Sequence, residues 1–308
     1  MTQLKRPKRN ISGWLVLNKP YDMSSTEAVG KVRWLLSAKK GGHAGTLDPL
    51  ATGILPIALG EATKTVPQVQ DGTKIYQFTL VWGTATTTDD IEGEVFATSA
   101  HRPSAKEVEQ ALPAFRGVIT QIPPAFSAIK IDGERAYDLA RAGKTVEMPE
   151  REVEIDRFEL LEHGESQSRF EVECAKGTYI RALARDLAEM LGTRGHVGQL
   201  HRAAVGHFTD ALAIDLETFE AASLEERDAM LLPVASGLAD VPEIRLDARQ
   251  AATIRLGNPV LLTGADAPIA IDEAWASCKG EAIATGFVDK GQFKPKRVIL
   301  PSRSERLD

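Results

Sequence analysis

Residues 41–60, GGHAGTLDPLATGILPIALG, constrain this chain more than any other segment. Asp48 precedes Pro49, which disfavours helix at Asp48 and favours an extended backbone there. Glycines flank the aspartate on both sides, and glycine permits positive φ and close approach of another molecule. The apolar run 54–59 then predicts a short buried strand that ends at Gly60. The segment therefore predicts a glycine-rich loop that displays one carboxylate on a rigid base.

An Asp-Pro step in a loop is more often a plain turn than a reactive site, so Asp48 alone identifies no function. The longer string GGHAGTLDPLATGILPI at 41–57 resembles the signature motif of the TruB family of tRNA pseudouridine synthases, in which GTLDP carries the catalytic aspartate. The resemblance extends in motif order over residues 12–210. It implies that the chain isomerises uridine 55 in the T-loop of tRNA to pseudouridine, with Asp48 as the catalytic group.

The resemblance also implies a set of substrate-binding residues at separate places along the chain. These are His43, Tyr76, Tyr179, Arg181 and Leu200. His43, in GGHAGTLDP, would fill the gap left by the flipped base, although a surface or capping histidine is the ordinary interpretation of such a residue. Tyr76, in KIYQFTL, would stack on the target uracil, and a core tyrosine would also fit its place on an apolar strand face.

The other three residues belong to two later motifs. Tyr179 and Arg181 lie in KGTYIRALARDL, where the resemblance implies a pocket tyrosine and an arginine paired with Asp48. An arginine there would keep the carboxylate ionised, and the alternative for Arg181 is a solvated flank of an amphipathic helix. Leu200, in GQLHRAAVG, would line the uracil pocket. The family often has Leu-Arg-Arg at this point, so His201 weakens one possible phosphate contact.

Other segments match the family's motifs less closely and leave the roles of their residues open. Lys19, in NKP, would be a phosphate contact or a surface lysine, and Lys64, in GEATK, would contact RNA or be solvated. Asp22 stands where the family usually has glycine, which is expected to alter a turn without abolishing catalysis. TATTTDDIEG fits the family's loop rich in threonine and aspartate, but the pattern assigns no role to Asp89 or Asp90.

Composition is that of an ordinary globular protein, with 43% hydrophobic and 26% charged residues. The net charge of −6 is unevenly spread: residues 1–40 hold nine Lys/Arg against two Asp/Glu, and residues 211–250 hold three against nine. A local basic face suffices for phosphate contacts, although a basic tail is more often merely solvated.

No membrane-spanning run or secretory signal pattern occurs, so a cytoplasmic protein is expected. Two distant cysteines form neither a disulfide framework nor a metal motif.

Hydrophobic periodicity and capping residues predict the elements that carry these motifs. Strands are predicted at 14–17, 76–82 and 170–174, and helices at the caps Ser24, Ser104 (over 104–116) and Thr178. Residues 121–152, with prolines at both ends and a turn predicted at Asp132-Gly133, have the character of an inserted lobe that grips RNA. Residues 207–240 are acidic and predicted to be mainly helical.

The predicted fold is mixed α/β (α+β), with a mainly antiparallel central sheet flanked by helices. Residues 1–240 would form the pseudouridine synthase catalytic domain, with 121–152 as its RNA-contacting lobe. Short β-like runs broken by glycines predict a small β-rich domain over 241–308, which the resemblance implies is a PUA-like RNA-binding domain. The expected partner is the T-stem-loop of tRNA and the expected state is a monomer; the resemblance implies neither cofactor nor metal.

Two rival functions use the same residues. A non-catalytic tRNA-binding or tRNA-folding protein would keep the basic surface and the C-terminal domain, and no sequence feature excludes binding as an additional role. A metal-dependent hydrolase would use His43, Asp48 and Asp89 or Asp90, but their spacing matches no metal motif such as HExxH or paired CxxC. Activity that survives EDTA would exclude the hydrolase.

Overall fold

The computed structural model describes residues 7–127, 130–131, 134–136, 148–264 and 266–301. Within these ranges the strands are β1 Gly13–Lys19, β2 Gly41–His43, β3 Thr52–Leu59, β4 Lys74–Trp82, β5 Thr84–Thr86, β6 Val95–Thr98, β7 Gly117–Gln121, β8 Lys130–Ile131, β9 Glu134–Arg135, β10 Arg151–His163, β11 Gln167–Cys174, β12 Gly195–Val205, β13 Phe208–Thr209, β14 Ile214–Asp215, β15 Glu243–Arg245, β16 Val260–Leu261, β17 Ile271–Cys278, β18 Glu281–Asp289 and β19 Gln292–Val298. The α-helices there are α1 Ser25–Leu35, α2 Val66–Asp71, α3 Ala105–Ala111, α4 Ile180–Met190, α5 Leu216–Ala221, α6 Leu224–Ala229 and α7 Ala248–Arg255. Short 3-10 turns lie at Gly60–Lys64, Leu112–Phe115, Asp210–Leu212 and Val234–Leu238.

The chain divides into two compact units. One comprises the described residues up to Gly72 and from Val205 onward, and the other those from Thr73 to Ala204. In the first unit β1 pairs antiparallel with β3 and parallel with β14, while β2 pairs antiparallel with β3. Strands β1 and β3 are apolar along nearly their whole length because both of their faces are buried.

Helix α1 follows β1 and begins where its sequence predicts. Ser24 is its N-cap: the hydroxyl accepts a hydrogen bond from Glu27 N at 3.2 Å, and Glu27 Oε2 accepts one from Ser24 N at 2.9 Å. This capping box satisfies two amides that the helix itself cannot pair. Ala28, Val32 and Leu35 bury one face of the helix, which fixes its orientation in the first unit.

The first unit also contains a five-stranded sheet in the order β15-β17-β18-β19-β16. β15 and β17 are parallel, and the remaining neighbours are antiparallel. Helix α7 contributes Ile254 to a core that also holds Ala274, Ile283 and Phe293. The β-rich character predicted beyond residue 241 is confirmed, and the domain boundary at 240 stays a prediction.

The sheet of the second unit has the order β12-β4-β11-β10-β7, in which β4, β11, β10 and β7 are successively antiparallel. One face carries a core of aromatic rings: Phe78 and Phe170 stack with centroids 5.3 Å apart, and Phe158 lies 5.5 Å from Phe170. Helix α4 adds Leu183 and Leu187 to the same core. The apolar alternation in β4 and β11 predicted this one-sided burial.

The predicted N-cap of α4 is wrong. The helix begins at Ile180, its N-cap position is Tyr179, and no side chain caps it. The Thr178 hydroxyl instead donates to Ala175 O at 3.0 Å. Short polar side chains often bond to a neighbouring turn rather than to a helix start, and the Thr178 hydroxyl does so here.

Other expectations are largely confirmed. The helix predicted over 104–116 is α3, capped by Ser104 and followed by a 3-10 turn. The acidic segment 207–240 contains α5, α6 and short 3-10 turns, together with the brief strands β13 and β14. The turn predicted at Asp132-Gly133 and much of the predicted lobe lie outside the described residues. None of the helices described is both long and apolar enough to cross a bilayer.

Candidate active site

The loop after β2 carries Asp48 between two paired strands of the first unit. His43 is the last residue of β2, which pairs with β3. Ala44 N donates to Pro56 O at 2.9 Å, and Ala51 N donates to Asp48 O at 3.1 Å, closing a turn at the aspartate. Asp48 and His43 are both half-buried. The structure therefore brings these two predicted site residues together on one loop that β3 holds at both ends.

Ser25 fixes the backbone immediately before Asp48. Its hydroxyl accepts a hydrogen bond from Leu47 N at 2.9 Å and donates one to Leu47 O at 3.0 Å, and both residues are buried. Ser25 is the first residue of α1, so the start of that helix holds the loop. The sequence reasoning missed Ser25, for which the only signal is a second serine directly after the capping serine, Ser24.

Lys19 fixes the backbone immediately after Asp48. Its Nζ donates to Pro20 O at 2.9 Å, Met23 O at 2.7 Å and Pro49 O at 3.0 Å, and Met23 N donates to Pro49 O at 3.3 Å. Lys19 is fully buried, so both sequence-based interpretations, phosphate contact and surface lysine, are wrong. A buried ammonium needs such acceptors, and here they tie the turn before α1 to the Asp48 loop.

Tyr76 and Leu200 lie at the margin of the second unit's core. Both are half-buried, and both pack against the cluster of aromatic rings described above. Tyr76 begins the alternating apolar face of β4, and Leu200 lies within β12. Part of each side chain contributes to the core and part stays accessible to a ligand.

Tyr179 is anchored just before α4. Tyr179 N donates to Gln121 Oε1 at 2.8 Å, and Gln121 Nε2 donates to Tyr179 O at 3.1 Å. Gln121 is itself buried, so this reciprocal pair fixes the backbone of Tyr179 firmly. The guanidinium carbon of Arg151 lies 5.7 Å from the centroid of the tyrosine ring, within range of a cation–π contact.

Arg181 lies in the first turn of α4 and is only 5% exposed, so it is not a solvated flank of the helix. Its Nη1 donates to Thr88 O at 2.9 Å and lies 3.6 Å from Asp90 Oδ2, while Nη2 donates to Phe126 O at 3.0 Å. Asp90, to which the sequence assigned no role, is thus a charge partner of Arg181. The pairing of Arg181 with Asp48 stays a prediction.

One helical turn later, Arg185 repeats this arrangement. Its Nη1 donates to Asp89 Oδ2 at 3.0 Å, Nη2 to Ile122 O at 2.8 Å, and Nε to Asp186 Oδ1 at 2.8 Å. Burial raises the pKa of Asp89 above its usual value, although Arg185 and Arg181 oppose that effect. Burial likewise raises the pKa of Asp186. Two successive arginines therefore hold two adjacent aspartates and the backbone around 122–126.

The arrangement offers two kinds of chemistry. In the first unit, a half-buried carboxylate on a fixed loop can act as a nucleophile or accept a proton. In the second unit, Tyr76 and Leu200 present partly buried apolar surface suited to a planar ring. No cluster of three or more His, Cys, Asp or Glu side chains that could hold a metal ion occurs in the part of the chain that the structure describes.

Two family models match the chain. The one described as "TruB family pseudouridylate synthase (N terminal domain)" matches residues 33–180, and the one described as "tRNA pseudouridylate synthase B C-terminal domain" matches residues 181–239. Curated proteins named tRNA pseudouridine synthase B are similar over nearly their whole length. That of Brucella ovis is 52% identical over 96% of this chain and 98% of its own length. That of Sinorhizobium medicae is 51% identical over 97% of this chain and 99% of its own length.

Solved structures share the fold at lower identity. A Cbf5–Nop10–Gar1 complex contains a chain that matches with a TM-score of 0.72 and 22% identity, covering 94% of this chain and 85% of that one. An H/ACA RNP bound to a substrate RNA containing 2′-deoxyuridine contains a chain that matches with a TM-score of 0.72 and 19% identity, covering 98% and 93%. At these identities the similarity establishes the mixed α/β pseudouridine synthase fold and nothing finer.

Proposed function

Because the chain belongs to the TruB family of pseudouridylate synthases, we propose that it isomerises uridine 55 in the T-loop of tRNA to pseudouridine, with Asp48 as the catalytic carboxylate. The reaction class follows from that membership and from relatives named tRNA pseudouridine synthase B: the chain is a tRNA pseudouridine synthase. The target position and the catalytic group are the proposal. It rests on one observation, the GTLDP loop in which Lys19 and Ser25 fix the backbone on both sides of a half-buried Asp48.

The proposed reaction is an isomerisation, so its atoms balance without a donor. The C1′–N1 bond breaks, the uracil turns, and C1′ bonds to C5; the C5 proton is lost and N1 takes one up. A positioned carboxylate can trap or stabilise the separated sugar or base. Attack at C1′, addition at C6 and a glycal-type elimination each require that carboxylate in its ionised form. The fixed loop would hold the Asp48 carboxylate in place for any of the three routes.

The substrate base would leave its stack to reach Asp48, as bases do in other enzymes that act on them. Tyr76 would stack on the uracil, and Leu200 and Tyr179 would line the same pocket. His43 would fill the gap in the RNA. Arg181 would face Asp48 and keep it ionised by opposite-charge stabilisation. These roles are carried by motif matches, together with the partial exposure of the aromatic and aliphatic residues and the buried, hydrogen-bonded position of the arginine.

The remaining parts of the proposal concern organisation. Residues 1–240 would act as the catalytic domain, with an RNA-contacting lobe over 121–152, and residues 241–308 as the PUA-like domain. The T-stem-loop of tRNA would be the recognised element, the working state a monomer, and the location the cytoplasm. RNA recognition would depend on loop shape, phosphates and 2′-hydroxyl groups.

The test measures tritium release from tRNA that carries C5-tritiated uridine, with wild type and Asp48→Asn compared in the presence and absence of EDTA. Release stoichiometric with one uridine is expected for wild type, and it should disappear when the T-loop uridine is replaced. Asp48→Asn should retain fold and tRNA binding but lose turnover. Glu225→Gln, at an exposed carboxylate in α6 of the same unit, is the matched control and should release tritium normally.

Two results would overturn the proposal. Near-normal turnover by Asp48→Asn would remove the assigned catalytic group. Tight tRNA binding without any tritium release by wild type would instead favour the non-catalytic binding protein, or a different uridine as target. Release that EDTA abolishes would reopen the question of metal dependence.

A further inference from the structure

An exposed aromatic side chain lies beside the Asp48 loop. The Tyr21 side chain is 54% exposed, so one face of its ring is open to a partner. It belongs to the turn that Lys19 and Met23 bind to Pro49 O, the carbonyl directly after Asp48. Tyr21 therefore lies at the surface of a turn that is hydrogen-bonded to the Asp48 loop.

The backbone that carries Tyr21 is fixed. The Lys19 ammonium bonds to the carbonyls of Pro20 and Met23, the residues on either side of the Tyr21–Asp22 pair. Asp22 has a φ of +58°, so it supplies the left-handed conformation that glycine commonly supplies in such turns. The backbone at the base of the ring is thus held in place before any ligand arrives, which lowers the entropic cost of using Tyr21 in binding.

The neighbouring charges favour a base over a phosphate as the partner of this ring. Asp22 is exposed next to Tyr21, and its carboxylate would repel a phosphate group. The flat faces of nucleobases stack on tyrosine regardless of sequence. Any RNA that delivers a nucleotide to Asp48 must also cover the adjacent surface, and Tyr21 is part of that surface.

We infer that Tyr21 stacks on a nucleobase of the RNA substrate next to the nucleotide that enters the site of Asp48. The inference rests on the proposed function, since it takes RNA as the substrate. It assigns Tyr21 a binding and positioning role outside the set of motif residues. The contact would act mainly on RNA affinity rather than on the chemical step, because it involves a neighbouring base and not the nucleotide that reacts.

The first experiment compares Tyr21→Ala, Tyr21→Leu and Tyr21→Phe for binding to a fluorescently labelled T-stem-loop RNA and for tritium release. Loss of a stacked ring should raise Kd and KM about five- to a hundred-fold in the alanine variant, with little change in kcat. Tyr21→Phe keeps the ring and should resemble wild type. Tyr21→Leu keeps apolar volume without the π face, so it should behave like alanine and serves if the alanine variant folds poorly.

The second experiment locates the partner base. T-stem-loop RNAs with one abasic site each are bound to wild type and to Tyr21→Ala. At the stacked position the abasic RNA should weaken wild type but leave the variant unchanged, so that the two proteins bind it equally. The dependence of log Kd on log salt concentration should be the same for both proteins, because a stacking contact releases no counterions.

Three results would overturn the inference. One is an unchanged Kd and KM in both Tyr21→Ala and Tyr21→Leu. Another is a loss of affinity in Tyr21→Phe as large as in alanine, which would point to the hydroxyl. A third is an altered salt slope, which would indicate a phosphate contact. Because RNA binding is measured apart from turnover, a wild type that binds the RNA but releases no tritium would refute the proposed reaction and still leave the Tyr21 contact to be read from Kd.

Discussion

Replacing Ser25 by alanine would remove both hydrogen bonds that hold Leu47, the residue before Asp48. The amide and the carbonyl of Leu47 bond to the same hydroxyl at 2.9 and 3.0 Å, and both residues are buried. A buried polar group that loses its partner costs about 1–3 kcal/mol, so two such groups give roughly 2–6 kcal/mol. The lower half of this range is expected, since Thr46 and Pro49 are exposed and water can approach the loop from that side.

The effect on activity should be larger than the effect on RNA binding. A displacement of about 1 Å in a catalytic group can cost on the order of a hundred-fold in rate. We expect Ser25→Ala to lower kcat for tritium release about ten- to a hundred-fold, with KM nearly unchanged. Stability is measured from the urea midpoint, followed by circular dichroism, and activity at a temperature where both proteins are folded.

Ser24→Ala is the matched control, because Ser24 is the adjacent serine and its hydroxyl caps α1 by bonding to Glu27. Loss of that cap should cost about 0.5–2 kcal/mol of stability. Its kcat should stay close to that of wild type. If Ser25→Ala destabilises the protein no more than Ser24→Ala and keeps a normal kcat, then the hydrogen bonds to Leu47 do not position Asp48.

Two further predictions concern the arginine and aspartate network of the second unit. A double-mutant cycle of Arg185→Gln and Asp89→Asn, measured by urea unfolding, should give a coupling energy of roughly 1–3 kcal/mol, and a value near zero would contradict the direct ion pair. The folded-state pKa of Asp89 is raised, chiefly by burial, so the folded state binds more protons than the unfolded state at pH values just above the ordinary value of 3.8. The stability that this group contributes therefore falls as pH rises above that value. Asp89→Asn should flatten this fall in the urea midpoints, and an identical pH profile in the two proteins would refute the assignment.

The starts of two helices could be predicted from the sequence because capping hydrogen bonds join residues only three positions apart. Ser24 and Ser104 each have a glutamate three residues later, and in both cases the reciprocal capping bonds form. The cap predicted at Thr178 does not form, and the reason is also local. The Thr178 hydroxyl donates to a carbonyl in the preceding turn instead. Residue type and spacing predict a cap only where no nearer acceptor takes the side chain.

The surroundings of the candidate site could not be predicted in the same way. The sequence left either a phosphate contact or a surface position for Lys19, because one of its acceptors, Pro49 O, lies thirty residues along the chain. Arg181 likewise bonds to Thr88 O and Phe126 O, contacts that no helical periodicity encodes. Periodicity locates the helix that carries an arginine, whereas only the fold determines whether the charge meets water or a carbonyl.

The strand that follows Asp48 is also fixed at its far end. Gly60 closes β3 with a φ of +54°, and a side chain there would collide with Ile11 O, so the turn requires glycine. In the 3-10 turn after it, Lys64 Nζ donates to Glu61 Oε2 and to Val298 O, each at 2.6 Å, and Leu300 N donates to Glu61 Oε2 at 2.7 Å. Lys64 is therefore not merely a solvated lysine, and its contact with RNA stays a prediction.

The C-terminal sheet thus contacts the turn that follows β3. Its last strand, β19, ends at Val298, and that carbonyl holds the turn in which β3 ends, while Lys19 and Ser25 hold the loop from which β3 begins. Each of the possible reaction routes requires the backbone of the carboxylate to keep its position while the substrate base leaves its stack. Because β3 is restrained at both ends by contacts distant in sequence, removal of the C-terminal strands would loosen the base of the Asp48 loop even if those strands never touched RNA.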